Sequence, residues 1–273
     1  MKNPVAACTW VFGHHDMVDI VSRIASLDLA GAEVFVDTRP CAQGELRRIF
    51  EDHGLQVFSM TPDNVDIAHA HGPTREQAIA CYDRLIDFAG DLGSDAITCH
   101  EFVGRRRPHD DPAREWDRLA DACRRITARA ASQGINVVFE PLNRSLVSAV
   151  WTAERARALV ALVDAPGFGI VLDTYHMHRV ENDPAEAIRS CGQFLRSFQI
   201  SDSGRGRIGS GEIDFEAQML ALLDVGYNGP LILECSSLPG PSRLKREVDL
   251  ERLEADLRVS REWLREFRAK NEA

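Results

Sequence analysis

The chain has 273 residues, with 32 basic against 42 acidic and a formal charge of −10 when the histidines are neutral. Hydrophobic residues make up 44% and prolines number 12, so a core able to offset chain entropy is available, and disordered, collagen-like and low-complexity classes are excluded. The acidic balance also excludes general nucleic-acid binding, because Arg105, Arg106 and Arg107 form the one basic cluster and three arginines are too few.

In chain order, short β-rich runs alternate with longer stretches of helical periodicity. The first run, Val5–Phe12, is interrupted by His14, His15 and Asp16 and carries no small-residue cleavage pattern, so it reads as a strand and not as a leader. Helix Met17–Leu29, strand Ala32–Val36, helix Gln43–His53, strand Gln56–Met60, helix Thr74–Leu92, strand Ala96–His100, helix Pro112–Gln133 and strand Asn136–Glu140 follow. Next come helix Thr152–Val163, strand Phe168–Asp173, helix Pro184–Phe194, strand Arg196–Ile200, helix Phe215–Val225 and strand Pro230–Glu234. Leu244–Lys270 carries Val248, Leu250, Leu253, Leu257, Trp263, Leu264 and Phe267 on one apolar face and reads as the eighth helix plus an extension.

Gly54, Gly93, Gly134 and Gly226 each follow a helical run and precede a strand, the place where a left-handed residue stops a helix. The strands are apolar throughout, as in a parallel sheet covered by helices. Eight βα units match a (β/α)8 TIM barrel of roughly 250 residues, with a doubly wound sheet as the alternative because strand count alone does not prove closure. No Pro-, Gly- or Ser-rich linker divides the chain, so residues 1–273 read as a single domain with a C-terminal helical extension. No run of 18 uncharged apolar residues crosses a membrane. The 7 cysteines are scattered, odd in number and never in a Cys-x-x-Cys pair, which points to reduced thiols and a cytoplasmic protein.

Polar residues at the C-terminal ends of barrel strands face the mouth, where chemistry occurs. Strand 5 ends in Glu140, strand 6 in Asp173 and strand 8 in Glu234, each straight after a hydrophobic run. A desolvated, unpaired carboxylate there costs several kcal/mol, on the order expected for any buried ion, so something positive belongs beside them. Either arginines pair with them or a divalent metal is held by oxygen ligands, Mn²⁺ first with Mg²⁺ or Co²⁺ as alternatives to it, and zinc disfavoured for want of thiols and imidazoles. On strand 7, Gln199 and Ser201 alternate with Phe198 and Ile200, so Gln199 either presents its amide oxygen to the interior or is a satisfied core hydrogen-bonder.

The segments Phe139-Glu140-Pro141-Leu142-Asn143-Arg144, Leu172-Asp173-Thr174-Tyr175-His176-Met177, Asp202-Ser203-Gly204-Arg205 through Gly209-Ser210-Gly211, and Leu231-Ile232-Leu233-Glu234 occur in this order. With them the chain resembles the xylose-isomerase-like TIM-barrel superfamily, within it the ketose 3-epimerases of the sugar isomerase/epimerase group, over roughly residues 130–240. The resemblance implies Glu140, Asp173 and Glu234 as metal ligands, with Gln199 where the family usually has histidine. It also implies Glu140 and Glu234 as the acid/base pair, His176 and Arg205 as binders of substrate oxygens, and a homo-oligomer, dimer or tetramer. Two departures stand out: Gln199 is a weaker ligand than imidazole, and Leu146 stands where ketose epimerases tend to carry a second glutamate.

A metal chelated by a ketose carbonyl and its neighbouring hydroxyl lowers the barrier to removing the adjacent C–H proton as an enediolate forms. Two carboxylates on opposite faces of that carbon take and return the proton, which inverts the centre; an isomerase needs only one face. The leading expectation is therefore a metal-dependent epimerase or isomerase of a ketose or related polyol. A lyase of the same fold, acting on a keto-cyclitol or a keto-glycoside, is kept open by Leu146 and Gln199. An endonuclease of this fold is disfavoured by the charge and the few histidines, and a non-catalytic sugar-binding protein would not need both Glu140 and Glu234.

Gly204-x-Gly206-x-x-Gly209 matches the dinucleotide fingerprint literally but follows strand 7 and opens no helix, so it reads as a loop over an anionic or hydroxyl-rich ligand. His100 ends strand 4, where it either lines the pocket and binds substrate or is satisfied by loop backbone. His176 and His178 form His-x-His on a presumed extended segment. His14, His15 and Asp16 either rim the pocket or begin the first helix, and Trp10 and Phe12 are placed to form an apolar wall.

Overall fold

In the computed structural model, which describes residues 3–35, 43–236 and 248–271, the strands are β1 Val5–Cys8, β2 Gly31–Phe35, β3 Gln56–Thr61, β4 Ala96–Cys99, β5 Asn136–Phe139, β6 Phe168–Asp173, β7 Leu195–Ile200 and β8 Leu231–Leu233. Each pairs in parallel with the next, and β8 returns to β1 with Leu231 opposite Val5, so the sheet closes into a barrel and the doubly wound alternative falls away. Around it lie α1 Met17–Ser26, α2 Gln43–Asp52, α3 Gly72–Leu92, α4 Pro112–Ala131, α5 Ala153–Val163, α6 Thr174–His178, α7 Pro184–Cys191, α8 Phe215–Asp224 and α9 Leu250–Asn271.

The helices start where the chain supplies a cap. Asp16, Asp111, Thr152, Asp183 and Asp214 each accept backbone N–H bonds at the starts of α1, α4, α5, α7 and α8. The four glycines expected to stop helices lie at φ between 65° and 73°. Each helix turns its apolar stripe to the barrel: Ile20, Val21 and Ile24 of α1 and Leu119, Cys123 and Ile126 of α4 are buried against strands whose own residues are covered on both faces. None of the helices is long and apolar enough to cross a membrane, among the described residues.

Three expected elements differ. The first run is strand only to Cys8; Thr9–Phe12 forms a 3-10 turn, because the Thr9 hydroxyl accepts the Phe35 backbone N–H (2.9 Å) and draws the chain inward. Residues 174–178 form a single helical turn and not an extended segment, because the Asp173 carboxylate caps it, accepting from Tyr175 N (2.6 Å) and His176 N (3.4 Å). The final segment is one helix from Leu250 to Asn271; of the expected span, residues 244–247 lie outside the described residues, as do Val36 and Cys41.

Gly31 pairs with Ala6 of β1 and Gln56 of β3, and a Cβ built on it would lie 1.9 Å from the Gln56 carbonyl oxygen. Gly31→Ala therefore forces the β2–β3 ladder apart, and urea unfolding should show a loss of about 1–3 kcal/mol, the usual range for overpacking.

Candidate metal centre at the barrel mouth

Glu140 follows β5, Asp173 ends β6 and Glu234 follows β8, and all three are buried. A fourth buried carboxylate, Glu33 of β2, joins them, just past a register shift between Ala32 and Glu33 that re-aims the strand's side chains. Burial pushes the Glu140 carboxyl well above the usual carboxylate range, the charges of Glu234, Asp173 and Glu33 push the same way, and Arg205 opposes them.

Arg205 reaches this group from the β7–α8 loop. Its Nη1 donates to Asp173 Oδ2 (2.8 Å) and Glu234 Oε2 (2.5 Å), and its guanidinium lies over the Tyr175 ring, 4.2 Å from the centroid. Burial alone would lower the Arg205 pKa; the carboxylates of Asp173, Glu234 and Glu140 outweigh it and hold the guanidinium charged. The residue sits at φ +63° in a loop wound round Asp202, whose carboxylate accepts from the N–H groups of Ser203, Gly211 and Ile213. That winding explains the glycines there: they belong to a turn that delivers Arg205, and α8 starts only at Phe215.

The hydrogen bonds assign each oxygen a task. Asp173 Oδ1 caps α6 while Oδ2 faces Arg205. Gln199 Nε2 donates to Glu33 Oε1 (2.9 Å), and the other Glu33 oxygen accepts from Ser59 (2.6 Å). The Gln199 amide is thereby oriented, and its Oε1 is buried with no hydrogen-bond partner among the described residues, so the expected hydrogen bond is made by the nitrogen alone. His176 Nδ1 accepts from the Asn143 backbone N (3.2 Å) and Nδ2 (2.9 Å), with Asn143 Oδ1 fixed by Ser145. His176 Nε2 lies 3.7 Å from both Glu140 Oε1 and Asp173 Oδ2 and 2.9 Å from Arg205 Nη2.

Among the described residues three groups have ligand atoms all within 4.8 Å of one another: Glu140 with Asp173 and His176, and Cys8 with Glu33 and Glu234, at the mouth, and Asp66 with His69 and His109 at the rim. An orphaned buried amide oxygen beside clustered carboxylates is a donor set of hard oxygens, which fits Mn²⁺, Mg²⁺ or Co²⁺. The residues that would hold such an ion are Glu140, Asp173, Gln199 and Glu234. Among the expected site residues, these four, His176 and Arg205 are drawn together. His100 is buried at the end of β4, and its Nδ1 bonds the Glu101 backbone carbonyl at 2.7 Å. Asp16 caps α1, and His14 and His15 lie just before it, outside the helix. His178, on the far side of the α6 turn from His176, is 4.0 Å from Glu212.

Two residues escaped the sequence. Glu33 carried a signal, a lone carboxylate inside the apolar run Gly31–Phe35. Trp10, expected as an apolar wall, instead donates its indole N–H to Glu234 Oε1 at 3.0 Å; nothing in the sequence pointed to that bond, which depends on the 3-10 turn.

At the rim, Arg105 is engaged by Asp66 and Glu115. The Ser148 hydroxyl lies between Glu115 (2.8 Å) and Glu101 (3.1 Å), its one hydrogen serving one carboxylate at a time, and Glu101 holds the backbone N–H groups of Ala149 and Val150. This network ties the loops after β3, β4 and β5 together over the mouth.

The sequence profile of the xylose isomerase-like TIM barrel matches residues 21–267. A ketose 3-epimerase of Arthrobacter globiformis is 30% identical over 191 residues, 68% of this chain and 65% of that protein, so the match spans less than two thirds of the relative. A 3-dehydroshikimate dehydratase of Pseudomonas aeruginosa is 26% identical over 233 residues, 78% of this chain and 35% of that protein. Among solved structures, an L-ribulose 3-epimerase superimposes with a TM-score of 0.89 at 22% identity, covering 99% of this chain and 97% of that one, a likeness of fold.

Arg105→Met leaves the buried Glu115 carboxylate without its ion-pair partner, and chemical denaturation should register a loss of about 3 kcal/mol or more.

Proposed function

The chain belongs to the xylose isomerase-like TIM-barrel family, and on that premise we propose that it is a divalent-metal-dependent epimerase or isomerase of a ketose or related polyol. The observation that carries the reading is the convergence of Glu140 and Glu234, from strands three apart in the ring, on one buried cluster with Asp173, Gln199 and Arg205. Glu140, Asp173, Gln199 and Glu234 would hold a divalent cation, Mn²⁺ by preference, which when bound would polarise a substrate carbonyl and its neighbouring hydroxyl.

The chain's own groups do the rest. One of Glu140 and Glu234 takes the proton from the carbon beside the carbonyl, and the other returns a proton to the opposite face. His176 and Arg205 reach the same spot, with Arg205 Nη2 2.9 Å from His176 Nε2, to hold substrate oxygens, and Asn143 keeps the imidazole in orientation by bonding Nδ1. The closed carboxylate cluster and the tied rim loops keep bulk water from the reacting carbon. His100 is proposed to reach the substrate from the end of β4. The free cysteines among the described residues, five of them buried, suit a reducing cytoplasm, and the resemblance to the epimerases adds a homo-oligomer to the proposal.

A second reading is a lyase of the same fold. It is favoured by Leu146, an apolar side chain in the loop after β5 whose carbonyl accepts from Gly104 N (2.8 Å), where a carboxylate would grip the end of a free ketose. A keto-cyclitol or keto-glycoside, which expels water or an alcohol after the same proton abstraction, needs no such grip.

In D₂O, Mn²⁺-loaded protein should place deuterium at carbon 3 of a ketose, and Glu140→Gln and Glu234→Gln should each slow exchange by about 100-fold or more. Loss of a leaving group from a keto-cyclitol or keto-glycoside, with no ketose exchanging, would replace epimerisation by the lyase. Adding Mn²⁺ to chelator-treated protein should raise the thermal midpoint by about 5 °C or more; a midpoint that ignores the ion would contradict both readings.

A further inference from the structure

Glu234 is held at two ends by two different donors. Arg205 Nη1 is on Oε2 at 2.5 Å, in a position it shares with Asp173 Oδ2, whereas Trp10 Nε1 is on Oε1 at 3.0 Å. An indole N–H is a donor only and cannot turn round to accept. Trp10 itself has little freedom: it sits in the 3-10 turn Thr9–Phe12, whose neighbours Thr9, Val11 and Phe12 are buried and whose start is pinned by the Thr9–Phe35 bond. The turn therefore sets which oxygen of Glu234 faces Asp173 and which faces the wall of the barrel.

We propose that Trp10 is a positioning residue that restricts Glu234 to a one-oxygen ligand, Oε2, and thereby tunes the centre toward small octahedral cations and away from Ca²⁺. This rests on the metal site proposed above. The physical reason lies in what cations accept. Ca²⁺ takes 6–8 oxygens and uses carboxylates through one or both oxygens, whereas Mg²⁺ and ions of like size demand near-octahedral, one-oxygen contacts. Asp173 Oδ1 is turned to the start of α6 and Glu234 Oε1 to Trp10, so in each of these two carboxylates the fold's own hydrogen bonds aim one oxygen at the scaffold and the other at the point where Arg205 Nη1 lies. Bonds behind a ligand of this kind typically carry about 10- to 100-fold in metal affinity.

The test uses the full chain, stripped of metal, titrated calorimetrically with Mn²⁺ and separately with Ca²⁺. Two variants are compared with wild type: Trp10→Phe, and replacement of Trp10 by the analogue in which sulfur stands in place of the indole N–H, which keeps the ring's size. Both should bind Mn²⁺ about tenfold more weakly while Ca²⁺ affinity holds or rises, so the Mn²⁺/Ca²⁺ ratio falls about tenfold. Mn²⁺-dependent change in tryptophan fluorescence should also shrink in Trp10→Phe. A packing role alone would lower both affinities together, so an unchanged ratio in the sulfur analogue overturns the inference and leaves the metal site standing. Wild type that binds no divalent cation overturns both.

Discussion

Four carboxylates, Glu33, Glu140, Asp173 and Glu234, sit within reach of one another at the mouth of the barrel, each no more than 6% exposed. Water cannot stabilise them there, and mutual repulsion adds to desolvation, which is why Glu140 is driven toward its protonated form. Nothing in the packing of a (β/α)8 barrel requires such a cluster, since the same strand ends could carry apolar residues at lower cost. Around it the chain assembles compensation: the Arg205 guanidinium, the Trp10 indole, the Ser59 hydroxyl, the Gln199 amide and the N-terminus of α6.

The compensation is also a sorting device. Asp173 and Glu234 each turn one oxygen to a fixed donor of the scaffold and the other to the point where Arg205 Nη1 lies, and Gln199 turns its nitrogen to Glu33 and leaves its oxygen unpaired. Arg205 is delivered by a loop that needs a left-handed backbone at that very residue, held by Asp202 and by Ser236 N on the Arg205 carbonyl (2.6 Å). Side chains fixed by surrounding hydrogen bonds before any ligand arrives are what proton transfer between two faces of one carbon requires.

Much of this was legible beforehand. The helix-stopping glycines and the apolar strands fix the eight-fold alternation, and three carboxylates straight after apolar runs mark the mouth. What stayed hidden depends on bonds that skip across the barrel. Trp10 reads as an apolar wall until the 3-10 turn aims its N–H at Glu234, 224 residues away. The His176 turn is invisible to periodicity because a single side chain, Asp173, both ends a strand and caps five residues of helix. Glu33 is hard to single out because it lies within β2 and not at its end, although a charge in Gly31–Phe35 is itself the sign.

In the proposed function these oxygens, and not Arg205 alone, are arranged for a divalent cation. Anomalous diffraction at the manganese absorption edge, from crystals of the full chain grown with Mn²⁺, tests it most directly. One strong peak is expected among Glu140, Asp173, Gln199 Oε1 and Glu234, with Arg205 Nη1 moved off the two carboxylates. A site without a peak, with Arg205 still bridging Asp173 and Glu234, would contradict it.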